Sequence, residues 1–309
     1  MSTNYDLIVI TGPTASGKTS LAANVAKKIE GEILSADSRQ VYREMNIGTG
    51  KDYDDYKVDG HQIPVHLLDI VDPGYKFNVF EYQKFFLDSF FELKSRNKIP
   101  VVCGGSGMYI DSIVSGYKLI EVPPDVNLRN ELENKSMEEL ISILQNYKSL
   151  HNTTDIDTKK RAIRAIEIEK YYSENQQNEI VFPHLRSLVT GVKYDRETRR
   201  ILISKRLKER LANGMIEEVE MLLDKGISVE TLLYYGLEYK FITLYLTGKM
   251  SYEEMFCRLE VAIHQFAKRQ MTWFRGMERR GIKIHWLDGF MPLEQKVDRI
   301  LDLLNTLIT

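Results

Sequence analysis

The stretch Leu7-Ile8-Val9-Ile10-Thr11-Gly12-Pro13-Thr14-Ala15-Ser16-Gly17-Lys18-Thr19 constrains this chain more than any other. Leu7 to Ile10 is a short, wholly apolar, β-branched run, the pattern of a strand buried on both faces. Gly12 to Thr19 fits G-x-x-x-x-G-K-[ST] at every fixed position. Leu21, Ala22, Val25, Ala26 and Ile29 then recur at helical spacing. Strand, glycine loop and helix in that order make a phosphate site. The glycines let backbone N–H groups converge on an anion, and the helix N-terminus adds partial positive charge. The whole loop, Gly12, Pro13, Thr14, Ala15, Ser16, Gly17, Lys18 and Thr19, is therefore expected to cradle a di- or triphosphate. Lys18 reaches its outer oxygens and the Thr19 hydroxyl ligates Mg²⁺.

The periodicity beyond the loop predicts the fold. Glu32 to Ala36 reads as a second short strand ending in Asp37-Ser38-Arg39-Gln40, and Pro64 to Ile70 as another before the Asp72-Pro73-Gly74 turn. Val79 to Lys94 has helical spacing. Ile99 to Cys103 is a buried strand closed by Gly104-Gly105-Ser106-Gly107, with a helix from Met108. Strands alternating with helices argue for an α/β protein with a doubly wound parallel sheet, whose ligands collect beyond the carboxyl ends of the strands. The phosphate loop, Asp37 and Ser106 all fall at such ends. Pro123-Pro124 interrupts the alternation, and residues 125–173 read as two or three helices without a strand. A polar stretch over 173–178 leads to a strand over Leu185–Tyr194 that rejoins the sheet. The expected organisation is a P-loop core over 1–118, a mostly helical insertion over 119–184, and the remainder of the core with long basic helices over 185–309. Ile282–Leu287 is a last strand and 292–307 a terminal helix.

At 309 residues, 43% apolar and 28% charged, the composition is that of an ordinary globular protein. No apolar run approaches the roughly 18 residues that span a bilayer, and the first strand follows Met1 too closely to leave room for a signal peptide. Cys103 and Cys257 lie far apart and suggest neither a zinc site nor a disulfide. A cytoplasmic, monomeric protein without a membrane partner is the expectation. Net charge is only −2, but it is segregated. Residues 193–213 carry eight Lys/Arg against three acids, 258–283 seven against two, and 216–238 six acids against one lysine. Such segregation allows a local basic surface on a near-neutral chain.

Several single residues carry two readings each. Asp37 beside the phosphate loop can hold Mg²⁺ through water or accept a substrate proton, or it is a turn aspartate. Ser106 either bonds a phosphate oxygen or caps the helix that begins there. Lys160, Arg161 and Arg164 share a helix face, which suits phosphates or an exposed edge paired with Glu167 or Glu169. Lys268, Arg275 and Arg279 fall on one stripe of the helix containing Trp273 and Phe274. Bases interleaved with aromatics suit RNA, although the tryptophan is equally placed to be core.

The motifs combine in a recognisable order: Gly12–Thr19, Asp37-Ser38-Arg39-Gln40-Val41-Tyr42 with Ile47-Gly48-Thr49, His66-Leu67-Leu68-Asp69-Ile70, Gly104-Gly105-Ser106-Gly107-Met108-Tyr109, and Gln265–Gly276. From the first strand to His285-Trp286-Leu287-Asp288 the chain resembles the tRNA dimethylallyltransferase (tRNA isopentenyltransferase) family of bacterial type. The resemblance implies transfer of a dimethylallyl group from dimethylallyl diphosphate to the exocyclic amine (N6) of the adenosine 3′-adjacent to the anticodon, with pyrophosphate leaving. It implies that Lys18, Mg²⁺ on Thr19, and Arg164 stabilise the pyrophosphate, that Asp37 is the base, and that Ser106 stands where the family commonly has threonine. It further implies contacts to the tRNA anticodon stem-loop from Asp37, Ser38, Arg39, Gln40, Ser106, Arg129, Lys160, Arg161 and Arg164, and Lys268 and Arg275 suit the same partner. The target base has to leave its stack to reach such a carboxylate. Two segments depart from the family pattern. Tyr235-Gly236-Leu237-Glu238-Tyr239 has an acid where G-Y-[KR]-[EQ] has a base, and Gly50-Lys51-Asp52 lacks the expected proline. The alternatives are an adenine-nucleotide prenyltransferase, a P-loop small-molecule kinase using Asp37 to activate a hydroxyl, and a non-catalytic tRNA-binding relative.

Overall fold

The computed structural model describes residues 4–149, 156–175 and 182–306, which form two compact units, one from 117–183 and one from the rest. The larger unit is built on β1, Leu7–Thr11, whose five residues are all buried. An all-apolar strand of this kind is stable only between two neighbours, and it has them. Ile8 pairs with Val101 of β6 (Pro100–Gly104) on one side and with Leu188 of β7 (Ser187–Lys193) on the other, both parallel. With β2 at Glu32–Ser35, β5 at Val65–His66, β6 at Pro100–Gly104, β7 at Ser187–Lys193 and β8 at His285–Asp288, the sheet order is β5-β2-β6-β1-β7-β8. Every pairing in this sheet is parallel. From β1 the chain steps out on one side to β2 and β5, returns to place β6 between β2 and β1, then crosses to the other side for β7 and β8. That reversal beside β1 opens a crevice at the end of the sheet where the phosphate loop begins.

Helices cover the sheet as the periodicity requires. On α1, Lys18–Lys28, the residues Leu21, Ala22, Val25 and Ala26 are buried, and the helix packs against α12, Leu293–Asn305. These two share a core with Ile8, Ile10, Val101, Leu188 and Val192. Each fully buried aliphatic there contributes about 1.5–3 kcal/mol. On other faces lie α2 (Val79–Ser95), α3 (Gly107–Val114) and the 28-residue α11 (Tyr252–Arg279), with α3 packed against both α2 and α11. Asn78 and Glu81 form a capping box that fixes where α2 starts. α7 (Arg196–Ala212), α8 (Met215–Asp224), α9 (Val229–Tyr234) and α10 (Leu237–Leu246) complete the unit.

The strand expected over Pro64–Ile70 is only Val65–His66; Leu67 and Asp69 take positive φ, of 65° and 53°, which ends the extension. The loop expected over 44–60 contains a 3₁₀ turn at Tyr53–Tyr56 and the hairpin β3 (Lys57–Val58) and β4 (His61–Gln62). In the smaller unit, α4 (Val126–Glu133), α5 (Met137–Tyr147) and α6 (Lys159–Glu174) close on Leu132, Leu140, Leu144, Ile163 and Ile166. Asp125, Ser136 and Thr158 cap their N-termini. Of the polar stretch read over 173–178, residues 176–178 lie outside the described residues.

Candidate active site

A cavity of about 310 Å³ lies at the end of β1. Thr14, Ser16, Gly17, Lys18 and Thr19 form one wall, Asp37, Ser38, Arg39 and Gln40 a second, and Ser106 a third. The phosphate loop is tightly turned. Ala15 has φ of 61°, in the left-handed region that glycine normally takes, and Gly17 precedes α1 with φ of 75°. Gln270 of α11 braces the loop, with Oε1 accepting the Thr14 amide at 2.9 Å and Nε2 donating to the Gly105 carbonyl at 2.8 Å.

The cavity is cationic as well as concave. Arg206 and Arg210 reach it from α7 and Arg269 from α11. Gly50 makes room for the first two. At φ of +72°, a Cβ there would lie 2.4 Å from Arg206 Nη2 and 2.2 Å from Arg210 Nη2. Burial pulls the Lys18 amine below its ordinary value, with Arg206 and Arg210 adding to the effect and Asp37 opposing it. Burial, followed by the neighbouring charge of Arg210, brings Arg206 down to about 10. Both shifts express the same condition: cations crowded out of water, which an anionic ligand relieves. Two polar atoms here, Ser16 Oγ and Arg206 Nε, are buried without a protein partner, and buried polar groups in this state mark places where a ligand completes the hydrogen bonding.

Asp37 faces the cavity with Oδ1 accepting the Arg39 amide at 2.9 Å. It is thus an aspartate of the turn type and a cavity carboxylate at once. Ser106 does not cap α3 with its side chain. Its Oγ accepts the Ser38 amide at 2.9 Å and donates to Ser38 Oγ at 3.2 Å, joining the end of β6 to the Asp37 turn. Gln40 is buried, its amide committed to the Gly50 carbonyl at 2.9 Å and to Ser35.

Both departures from the family pattern fall here and have local partners. Lys51 is buried, donating to the Tyr42 carbonyl at 2.6 Å and to Asp69, while Asp52 pairs with Arg210 at 3.1 Å. Glu238 lines the cavity near the same arginines. Burial pushes its carboxyl up, and Arg210 and Arg206 pull it the other way. Glu218 of α8 fixes the adjoining loop by accepting the amides of Asn46, Ile47 and Gly48 at 2.8, 2.7 and 3.0 Å, and the Tyr239 hydroxyl at 2.7 Å.

Other expected site residues are not among those lining this cavity. Lys268 and Arg275 are exposed and do not line the cavity; their neighbour Arg269 does. Trp273 and Phe274 are packing residues. The Trp273 indole donates to buried Asp111 at 3.0 Å with its ring against Gly107, and Phe274 is fully buried. In the smaller unit, buried Glu167 accepts from Arg129 at 2.8 Å and from Arg164, which also donates to the Val122 carbonyl at 2.9 Å. Burial raises the Glu167 carboxyl, but those two guanidiniums and the Asp125 amide more than offset it. Arg161 pairs with Asp157 at 2.9 Å and Lys160 is exposed. Arg164 thus pairs with Glu167, one of the two acids named for this edge, whereas Arg161 pairs with Asp157, which was not.

This geometry belongs to a known group. The sequence matches the family described as IPP transferase over residues 40–277 and that described as isopentenyl transferase over residues 5–62. The chain belongs to the IPP transferase family. It is 60% identical to tRNA dimethylallyltransferase 2 of Phocaeicola vulgatus, with 98% of each chain covered. It is 56% identical to tRNA dimethylallyltransferase 1 of Parabacteroides distasonis, again over 98% of each. The structure of a tRNA isopentenylpyrophosphate transferase from Staphylococcus epidermidis superposes with a TM-score of 0.69 at 31% identity, covering 97% of this chain and 98% of that one. A eukaryotic dimethylallyltransferase acting on tRNA shares the fold, with a TM-score of 0.73 at 21% identity over 94% of this chain and 75% of that one. As an IPP transferase the chain is a prenyltransferase enzyme.

Three cavity features were not singled out in the sequence. Arg206 and Arg210 lay within a basic segment whose excess charge was visible but whose inward-facing members were not. Gln270, an uncharged residue on an amphipathic helix, carried no signal of its role.

Proposed function

We propose that the protein transfers a dimethylallyl group from dimethylallyl diphosphate to N6 of the adenosine 3′-adjacent to the anticodon in tRNA, releasing pyrophosphate, and that it does so as a monomer in the cytoplasm. The observation that carries this reading is the convergence of the phosphate loop, four cations and Asp37 on one cavity, in a chain matched end to end by tRNA dimethylallyltransferases.

The diphosphate lies along the loop, with Lys18, Arg206 and Arg210 around its oxygens. The bond between its bridging oxygen and the allylic carbon breaks as the N6 lone pair forms the new C–N bond. Negative charge accumulates on the departing pyrophosphate, where fixed cations stabilise it most. Asp37 takes the proton that the alkylated amine sheds. Ser106, bonded to Ser38, holds the Asp37 turn in place.

The donor set suits Mg²⁺. Thr19, whose side chain carries a hydroxyl, lines the cavity next to Lys18. Mg²⁺ takes most of its ligands from phosphate and water. It would be held by Thr19 and would supply further positive charge at the diphosphate.

The test is incubation with Mg²⁺, labelled dimethylallyl diphosphate and unmodified tRNA, with AMP and ATP as competing acceptors. Label in the anticodon-adjacent adenosine alone is expected. Label in AMP would instead make the protein an adenine-nucleotide prenyltransferase. Bound tRNA without label would make it a non-catalytic relative.

A further inference from the structure

Tyr234 stands 47% exposed beside an aromatic cluster whose other members, Tyr42, Tyr109 and Tyr235, are buried. Scattered exposed tyrosines are common and need no explanation. This one is held. Its ring meets that of Tyr235 edge-on at 6.0 Å, and Tyr235 packs on Tyr42 at 4.5 Å. The Tyr235 hydroxyl is itself fixed, donating to the Tyr75 carbonyl at 2.9 Å and accepting the Gly74 amide. The guanidinium carbon of Arg39 lies 5.6 Å from the Tyr234 ring centroid.

Arg39 connects this ring to the reaction. It lines the cavity, and its amide is the one bonded to Asp37. The chain passes close by it through Gly236, whose φ of +128° suits glycine and whose absent Cβ would lie 3.6 Å from Arg39 Nε. The Arg39 charge also reaches Tyr42, Tyr109 and Tyr235, where it counters the rise that burial imposes on their hydroxyls.

We propose that Tyr234, oriented by Arg39, is a stacking platform for a second tRNA nucleobase, one that flanks the acceptor adenosine in the single-stranded anticodon loop. The proposal rests on the tRNA-prenylating reading above. Withdrawing the acceptor base into the cavity also unstacks its neighbour. The ring face opposite Arg39 replaces the lost stack, and the guanidinium over the first face can meet the loop's phosphate. The tyrosine immediately precedes Tyr235–Tyr239, the segment that departs from the family pattern.

Anticodon stem-loop RNAs carrying 2-aminopurine at each loop position other than the acceptor, in turn, test this with the unaltered protein, Tyr234→Phe and Tyr234→Leu. Quenching at one flanking position is expected with the unaltered protein and Tyr234→Phe, and its loss with Tyr234→Leu, which keeps apolar bulk but has no π face. RNA affinity should fall about tenfold in Tyr234→Leu, with dimethylallyl diphosphate affinity unchanged. Equal quenching and equal RNA affinity in all three proteins would overturn the platform. So would loss of diphosphate binding together with a lowered Tm in Tyr234→Leu, since that marks a packing role. Failure of the unaltered protein to bind the RNA at all would instead overturn the functional reading beneath it.

Discussion

The side chain of Gln270 accepts the amide hydrogen of Thr14 at 2.9 Å, across 256 residues of sequence. The Nε2 of the same amide donates to the Gly105 carbonyl at 2.8 Å, one residue before Ser106. One amide therefore sets the spacing between the phosphate loop and the turn that carries Ser106. Only a side chain with an acceptor and a donor at the same end does this. Glutamate keeps the acceptor, loses the donor and places a negative charge beside the diphosphate.

Gln270→Glu should accordingly weaken dimethylallyl diphosphate binding more than Gln270→Ala. Losing one such hydrogen bond costs about 0.5–1.5 kcal/mol, and a like charge in a half-buried site adds to it. Calorimetric titration with the diphosphate separates the two variants. Equal losses would mean that the bridge serves folding alone.

For Asp37 the expected signature is a split between chemistry and binding. Asp37→Asn keeps an oxygen for the Arg39 amide but cannot take a proton. The transfer rate should fall by about 10² to 10⁴, while affinity for the diphosphate stays close to that of the unaltered protein. Single-turnover transfer to tRNA with saturating diphosphate measures the first, and direct titration the second. Near-normal transfer would remove Asp37 from proton transfer.

Arg206 gives the complementary split. Arg206→Ala removes a guanidinium with a buried, unpartnered Nε. A hydrogen bond to a charged group contributes about 1.5–3 kcal/mol, so the diphosphate Kd should rise roughly ten- to a hundredfold, with tRNA affinity little changed. A tRNA-specific loss instead would reassign the residue to the RNA.

What the sequence made legible divides along a physical line. Leu7–Thr19 is a local arrangement: a strand buried on both faces, a turn and a helix start each leave a mark in consecutive residues. The loop and the parallel sheet could therefore be anticipated. Asp37 and Ser106 were legible because each follows a strand, and strand ends converge in this fold. Arg206, Arg210 and Gln270 arrive from helices far along the chain. The direction each faces is set by packing of α7 and α11, which no local pattern encodes. The charge stripe of Lys268 and Arg275 lies exposed on α11, and Arg269, about 100° around that helix from Lys268, is the arginine that reaches the cavity. Trp273 was ambiguous for the same reason, and a buried acceptor, Asp111, decided it.

The last prediction concerns stability at the sheet edge. Glu32, at the start of β2, accepts from Arg96 at 2.5 and 3.0 Å and contacts His66 Nε2 at 2.7 Å. The Arg96 hydrogen bonds, with help from His66, hold its carboxyl below the ordinary range against the opposing effect of burial. A carboxylate depressed on folding contributes stability that is complete above its unfolded value, about 4.3, and that is lost as pH falls through the lower folded value. Glu32→Gln should therefore destabilise the protein at neutral pH. The loss is about 1 kcal/mol, below the roughly 1.5–3 kcal/mol of a charged hydrogen bond because Arg96 is substantially exposed and water screens the pair. Urea unfolding of both proteins from pH 7 to pH 3 checks the sign. The gap should hold steady down to about pH 4.3 and then close. A gap that widens toward pH 3, or does not change at all, would show that the ionised form of Glu32 is not what holds β2 to α2 and β5.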